Sequence, residues 1–388
     1  MFFCCTPEEN NTCPCGCAKE DKTLKRKIRK EWKREAPERA DECLKTGSFL
    51  LIYIFILCLF SVSAAENADG ADAPKTVILD AITDPTVLEG FSYPDDAHII
   101  RIAFPQIAEC DSCLITDGTE SILIDCATEG QADRVISMLT EQGVRKLDAI
   151  YITHPHADHT GGLTKILESF PTDGVWTCFS DQTNNYSAAL PGICEAHNVP
   201  LKRYAEGHQF TLGGASFETY AATDRALGIN DRSAAFRMQY GDAVMFFAAD
   251  LEARGLRRLG TMLEPEKLRL DIIKYPHHGK NGLVREFWRP AQLRFAVVTS
   301  DRTPREGKED LRYKGWAHAF TAEGEITLLC DGHTWCVCMQ EDAQRVLNGE
   351  TAFLENEETE DDPGTGAAEE TGDDEEASVV YITVDKKE

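Results

Sequence analysis

The stretch Tyr151–Gly162, "YITHPHADHTGG", decides how this chain is read. The apolar run "LDAIYIT" leads into it, and "GLTKILESF" carries on from its two glycines. A continuous apolar run reads as a strand buried on both faces. The segment that follows has helical spacing. Between the two lie His154, His156, Asp158 and His159. Imidazoles and a carboxylate are the ligands that borderline divalent cations prefer. On an irregular backbone at alternating and adjacent positions, these groups converge on one centre. Gly161 and Gly162 allow backbone conformations that other residues resist and let the helix start pack closely. A polar loop with chance histidines is the bland alternative, and four ligand types packed so closely argue against it.

Outward from this stretch the pattern alternates. "HIIRIAF", "SCLIT" and "SILIDC" are short β-branched runs separated by turn residues. "GQADRVISMLTEQG", residues 130–143, places Val135, Ile136 and Leu139 at helical spacing and stops at Gly143. The second half repeats the rhythm. "SAAFRMQYGDAVMFFAAD" reads as a hairpin, "LEARGLRRLGTML" as a helix, "LDIIKYPHHG" as a strand and loop, and "RFAVVTS" as a further strand. Two sheets with helices outside them satisfy this order over residues 75–350.

Charge is spread unevenly over the 388 residues, whose formal net charge is −26. Residues 355–388 carry 2 basic against 14 acidic side chains, and residues 66–354 carry 27 against 43. An acidic body argues against a broad nucleic-acid-binding face but leaves room for a local basic lining. Residues 355–376 hold almost no apolar side chain and are expected to be disordered; "SVVYITV" near the end is a short strand-like run. Residues 1–48 form a basic, cysteine-containing segment. The apolar run Phe49–Val62 has the length of a signal-peptide core and is short for a span of roughly 20 residues. Small residues follow to Ala65, with Val62 and Ala64 spaced as at a cleavage site. The flanking charges place the body outside the cell, secreted or held in the envelope through residues 49–62 if these are retained. A buried helix of the domain is the remaining reading of that run.

The chain has 15 cysteines. "CPCGC" at 13–17 is spaced more tightly than metal-binding pairs and has no second pair to match it. The eight in the body permit disulfides, with Cys110–Cys113 and Cys178–Cys194 as local candidates. None has the setting of a cysteine nucleophile.

His-x-His-x-Asp-His after a buried strand resembles the metallo-β-lactamase superfamily. Other stretches extend the likeness. Asp125, in "SILIDC", matches the aspartate that orients the histidine loop. "AADLE" matches the later bridging aspartate at Asp250, and "KYPHHGKNG" the last histidine motif at His277 and His278. With "INDRS", "YGD" and "GEITLLCDG", residues 95–340 are similar in particular to the hydrolase-like domain of ComEC competence proteins. The resemblance implies an αββα sandwich with a metal site at one edge.

It also implies two divalent cations, zinc first and manganese as the alternative. The first would take His154, His156 and Asp250; the second Asp158, His159, Asp250 and His278. Asp158 counts among the catalytic residues as well as the ligands, and Asp125 would fix a ligand histidine's tautomer. His277 is assigned as a proton donor or transition-state contact, with the reverse order of His277 and His278 left open. One departure stands out: many superfamily members carry a further histidine before the bridging aspartate, and here none lies between His208 and His277. His208 is either a ligand or a surface residue. Asn230 is a candidate for a weak metal or substrate contact, or a turn residue. The first site is then richer in oxygen, which leaves room for manganese.

A water shared by two cations loses a proton near neutral pH, a chemistry suited to phosphodiesters, carboxylic esters, thioesters, lactones and β-lactams. The ComEC likeness and the basic residues after the last motif lean toward a phosphodiester, either small or DNA. Lys280 is the substrate-binding candidate among those basic residues. The others are Arg285, Arg289, Arg294, Arg302, Arg305, Lys308, Arg312 and Lys314, which line a phosphate groove or are solvated surface. A non-catalytic metal-binding module is the alternative of a different class.

Overall fold

The computed structural model describes residues 76–350. The basic N-terminal segment, the Phe49–Val62 run and the acidic tail lie outside the described residues. No helix among the described residues is long and apolar enough to cross a membrane.

Sixteen strands, β1–β16 in chain order, make two sheets. The first contains β1 (Val77–Asp80), β2 (Ile100–Phe104), β3 (Ser112–Thr116), β4 (Ser121–Cys126), β5 (Ala149–Ile152), β6 (Val175–Thr177), β7 (Leu201–Arg203), β15 (Ile326–Cys330) and β16 (Thr334–Met339). Its order is β1-β16-β15-β2-β3-β4-β5-β6-β7. The second contains β8 (Gln209–Leu212), β9 (Ala215–Tyr220), β10 (Ala235–Tyr240), β11 (Ala243–Phe247), β12 (Ile272–Lys274), β13 (Phe295–Val298) and β14 (Ala317–Phe320), in the order β14-β13-β12-β11-β10-β9-β8. The helices are α1 (Ala132–Glu141), the single turn α2 (Ala157–Thr160), α3 (Leu163–Ser169), α4 (Asn185–Ala196), α5 (Ala253–Met262), α6 (Arg285–Ala291), α7 (Glu306–Lys314) and α8 (Gln340–Leu347).

The layers follow from the period of two along each strand. Ile102, Phe104, Ile115, Ile124 and Tyr151 of the first sheet meet Phe217, Phe236, Met245, Phe247 and Phe295 of the second in one inter-sheet core. The alternate residues Leu114, Leu123 and Ile150 face away, against Val135 and Leu139 of α1 and Ile166 of α3. Phe246, Ile273 and Ala296 likewise turn outward onto Leu256 of α5 and Phe287 of α6. Each such side chain removed from water contributes about 1.5–3 kcal/mol. The result is the αββα sandwich.

The same alternation corrects the disulfide expectation. All eight body cysteines are free thiols. Cys113 packs between the sheets while Cys110 packs under the outer helices. Cys178 and Cys194 are divided the same way. The sheet itself separates each candidate pair.

β4 and β5 run parallel, as do β11, β12 and β13. Their carboxyl ends therefore open on one edge of the sandwich, where ligands gather in open α/β sheets. The two glycines that close the histidine loop serve this edge by size. A Cβ on Gly162 would stand 2.1 Å from the Cys126 carbonyl oxygen, and one on Gly161 would stand 2.7 Å from the Glu129 nitrogen. Gly162→Ala must push α3 off the end of β4. It is expected to destabilise the fold by about 3 kcal/mol, the upper end of ordinary overpacking; thermal denaturation beside the wild type checks this.

Candidate metal centre

Four segments deliver the site. After β5, Thr153 turns the chain and His156 stands just before α2, which carries Asp158 and His159. Asp250 follows β11, His277 and His278 follow β12, and Asp125 ends β4. The backbone is forced at several of these points. Asp125 (φ 60°), Ala249 (φ 47°), His277 (φ 49°) and His278 (φ 53°) all occupy the left-handed region. Such conformations cost of order 1–3 kcal/mol each in residues other than glycine and persist only where surrounding contacts hold them.

Asp250 is the centre of the arrangement. It is 1% exposed, and neither of its oxygens accepts a hydrogen bond. Its Oδ1 lies 3.3 Å from His159 Nε2 and 3.6 Å from His278 Nε2. Its Oδ2 lies 3.7 Å from His154 Nε2 and 3.7 Å from His277 Nε2. His154 Nε2 is 3.0 Å from His156 Nδ1. Asp158 Oδ2 is 3.4 Å from His278 Nε2. Two groups of donors result, His154–His156–Asp250 and Asp158–His159–Asp250–His278, with Asp250 common to both. The buried nitrogens His159 Nε2 and His278 Nε2 also lack hydrogen-bond partners. Buried polar atoms left without partners yet aimed at one point are the donor set of a divalent cation.

A layer beneath fixes the ring orientations. Asp125 accepts from Thr153 N at 2.8 Å and Thr153 Oγ1 at 2.7 Å, and lies 2.7 Å from His159 Nδ1. His159 thus turns Nε2 to the centre. Asp111 does the same for His278. Its Oδ1 lies 3.2 Å from His278 Nδ1 and accepts from Thr299 Oγ1 at 2.6 Å. The other Asp111 oxygen pairs with Lys274, buried at the end of β12. Lys274 Nζ also donates to the Ala249 carbonyl at 3.1 Å, holding the strained residue before Asp250. Sequence reasoning missed Asp111 and Lys274. The available signal was a lysine inside the apolar run "LDIIKYP", which in a buried strand requires a partner. Lys274→Met removes the lysine partner of buried Asp111, leaving it His278 and Thr299, and is expected to cost about 3 kcal/mol of stability, read by denaturant titration.

The two groups differ in charge. Burial, with His159 nearby, pushes His154 well below the ordinary histidine value, and burial also lowers His156. Burial opposes protonation of His159 too, but the Asp250 and Asp125 carboxylates overcome it and hold its pKa well above the ordinary value. His278 is raised against burial by Asp250 and Asp111. Asp250 is lowered well below the usual carboxylate range because His278 and His159 outweigh its burial. For Asp158, burial is outweighed by the nearby His278 and His159 rings, bringing it down to about 2. A cation entering the His154–His156 side displaces no proton, whereas one entering beside His159 and His278 must displace protons held to raised pH. Stepwise loading is therefore expected: at mildly acid pH the first equivalent binds more tightly than the second, and the second strengthens as pH rises. Competition titration with a chromophoric chelator checks this.

The remaining expected residues fall as follows. Asn230 begins a turn whose Asp231 accepts from Glu252 N and Gly255 N at the start of α5. Asn230 Nδ2 donates to Glu252 Oε1 at 3.0 Å and lies 3.5 Å from His277 Nε2, while its Oδ1 is buried without a partner. His208 is in neither donor group and stacks on Trp176 with ring centroids 5.4 Å apart. Lys280 stands 3.6 Å from Glu109 Oε2. Arg294 donates to the Thr76 carbonyl at 2.6 Å and lies 3.7 Å from Asp271, at the opposite end of β12 from the site. Arg302 pairs with Glu323, and Lys314 with Asp310. Lys308 is buried and donates to Ser300 Oγ at 2.7 Å. An open groove beside Asn281 is lined by Glu306, Glu309, Asp310 and Tyr313. The rim is thus mixed in charge, and several of the expected basic groups are paired.

Residues 108–176 match the family model of the metallo-beta-lactamase superfamily. The chain is 24% identical over 172 residues to competence protein ComA of Neisseria gonorrhoeae, covering 44% of this chain and 22% of that protein. It is 22% identical over 174 residues to ComE operon protein 3 of Bacillus subtilis, with coverage of 44% and 22%. To a hydroxyacylglutathione hydrolase of Photobacterium profundum it is 27% identical over 177 residues, covering 45% and 61%. The chain therefore spans about a fifth of the length of the competence proteins it matches. Among solved structures, the metallo-beta-lactamase fold protein YhfI from Bacillus subtilis aligns with a TM-score of 0.40 at 10% identity, covering 57% of this chain and 96% of that one.

Proposed function

We propose that this chain, whose residues 108–176 match the metallo-β-lactamase superfamily, is a two-metal hydrolase acting on a small phosphodiester. The observation that carries the reading is Asp250, which offers one oxygen to each of two donor groups. Two divalent cations held there, zinc or manganese, would supply Lewis-acid activation of water and of the scissile phosphoryl group.

The chain's own residues do the rest. His154, His156, Asp158, His159, Asp250 and His278 hold the pair of cations. Asp125 and Asp111 keep the Nε2 atoms of His159 and His278 turned inward. Asn230, whose buried Oδ1 beside the site has no partner, would accept a hydrogen bond from a substrate hydroxyl. Lys280 reaches a substrate phosphate only by leaving Glu109. Pairing of several basic side chains and the acidic groove beside Asn281 favour a small diester over a long nucleic-acid strand. An exported location rests on the Phe49–Val62 run. The hydroxyacylglutathione hydrolase likeness favours a second reading, hydrolysis of a thioester.

The test is metal content of the purified protein, then cleavage of bis-p-nitrophenyl phosphate beside nitrocefin and a glutathione thioester. Two metals per chain and diester cleavage that Asp250→Ala abolishes are the expected outcome. Thioester cleavage alone would move the reading to the second, and no metal after zinc or manganese is supplied would end it.

A further inference from the structure

The sequence reading gives His278 to the metal and His277 to the substrate. We infer that His277 is instead the third nitrogen ligand of the first metal, taking the place of the histidine that the chain lacks upstream of Asp250. The inference rests on the two-metal reading above.

Adjacent residues on an ordinary strand or helix cannot both face one buried carboxylate. Here the backbone makes it feasible. His277 and His278 are both left-handed, at φ 49° and 53°, and Gly279 follows at φ 74°. This single left-handed turn splays the two rings to 66° with centroids 5.9 Å apart. Each then meets a different oxygen of Asp250. His278 Nε2 takes Oδ1 with His159, and His277 Nε2 takes Oδ2 with His154. The backbone locks the turn in place, because His277 N donates to the Ala249 carbonyl at 3.0 Å, immediately before Asp250.

The far side of the ring sets its tautomer. His277 Nδ1 lies 3.2 Å from Glu252 Oε1 and 2.9 Å from Asn281 Oδ1. A carboxylate can only accept, so Nδ1 carries a hydrogen, and the neutral ring of that tautomer presents its Nε2 lone pair. Asn230 Nδ2, a donor 3.5 Å from Nε2, fits that assignment. The same acceptors would also hold an imidazolium, so the choice between ligand and general acid rests on where Nε2 meets Asp250 Oδ2. Glu252 thus stands to His277 as Asp125 does to His159 and Asp111 to His278. Every histidine that meets Asp250 from beyond the first motif loop, and His159 within it, has its own acceptor behind it.

On the Asp250 side the spacing is also near that of ligands. Two donors about 2.1 Å from one tetrahedral cation sit roughly 3.4 Å apart. Around Asp250 Oδ2 the separations are 3.7 Å to His154 and 3.7 Å to His277, and His154 to His156 is 3.0 Å. His277 stands outside the tight group formed by His154, His156 and Asp250, so loading must draw its ring inward. Its side chain, 16% exposed where that of His278 is fully buried, has the room. The first site then has three nitrogens and one oxygen, a donor set suited to zinc rather than the oxygen-rich set read from sequence.

The experiment compares the full-length wild type, His277→Ala and His277→Cys after loading with zinc or with cobalt(II), counting metal per chain and recording electronic spectra. His277→Ala is expected to drop from two metals to one, and cobalt-loaded His277→Cys to gain a thiolate-to-cobalt charge-transfer band. Two metals at unchanged affinity in His277→Ala, or a soluble His277→Cys with two cobalt ions and no such band, would overturn the assignment. Should the alanine variant fail to fold, the cysteine spectrum decides alone. Fewer than two metals in the wild type would instead overturn the two-metal reading itself.

Discussion

A buried carboxylate with no hydrogen bond is the constraint on which this molecule turns. Asp250 is sealed from water, and its oxygens face four imidazole nitrogens rather than donors from the backbone. A carboxylate so placed is tolerable only beside positive charge. His159 and His278 face it, and the neighbouring carboxylates raise both against their own burial. Divalent cations would supply that positive charge from the same positions.

Holding that carboxylate in place draws in both sheets. The Asp111–Lys274 pair bridges the start of β3 in one sheet and the end of β12 in the other, directly below the ligands. Lys274 and His277 N both donate to the Ala249 carbonyl, so the turn carrying Asp250 and the turn carrying the last histidines are fastened to the same atom. The backbone of Asp111 in turn donates to the Asp158 carbonyl at 3.0 Å. Loss of one member therefore loosens ligands on three different loops. The left-handed residues at Asp125, Ala249, His277 and His278 show where the sandwich stores strain to aim these side chains.

The rim is less committed than the centre. Lys280, Arg302 and Lys314 each have a carboxylate neighbour, and Glu306, Glu309 and Asp310 line the groove beside Asn281. Chemistry and selectivity are thus set by different layers. The buried layer specifies cations and water activation, and the open layer discourages a long polyanion.

The sequence by itself determined the elements and the ligand types. Alternation in "SILIDC" and "LDAIYIT", helical spacing in Val135, Ile136 and Leu139, and the crowded histidine loop are local signals, because period and residue chemistry act over a few positions. They were enough to expect two sheets with helices outside them and to single out the histidine loop, whereas Asp125, Asp250, His277 and His278 were read through the family resemblance. Which cysteines could meet was decided only by the sheets, since Cys110 and Cys113 point to opposite faces. Arg294 reads as part of a basic run yet lies at the far end of β12, because sequence distance carries no information about strand ends. The roles of Asp111, Lys274 and Glu252 were illegible for the same reason. Each acts on a residue distant in sequence or across the sandwich, and a buried charge is explained only by the partner that the fold brings to it.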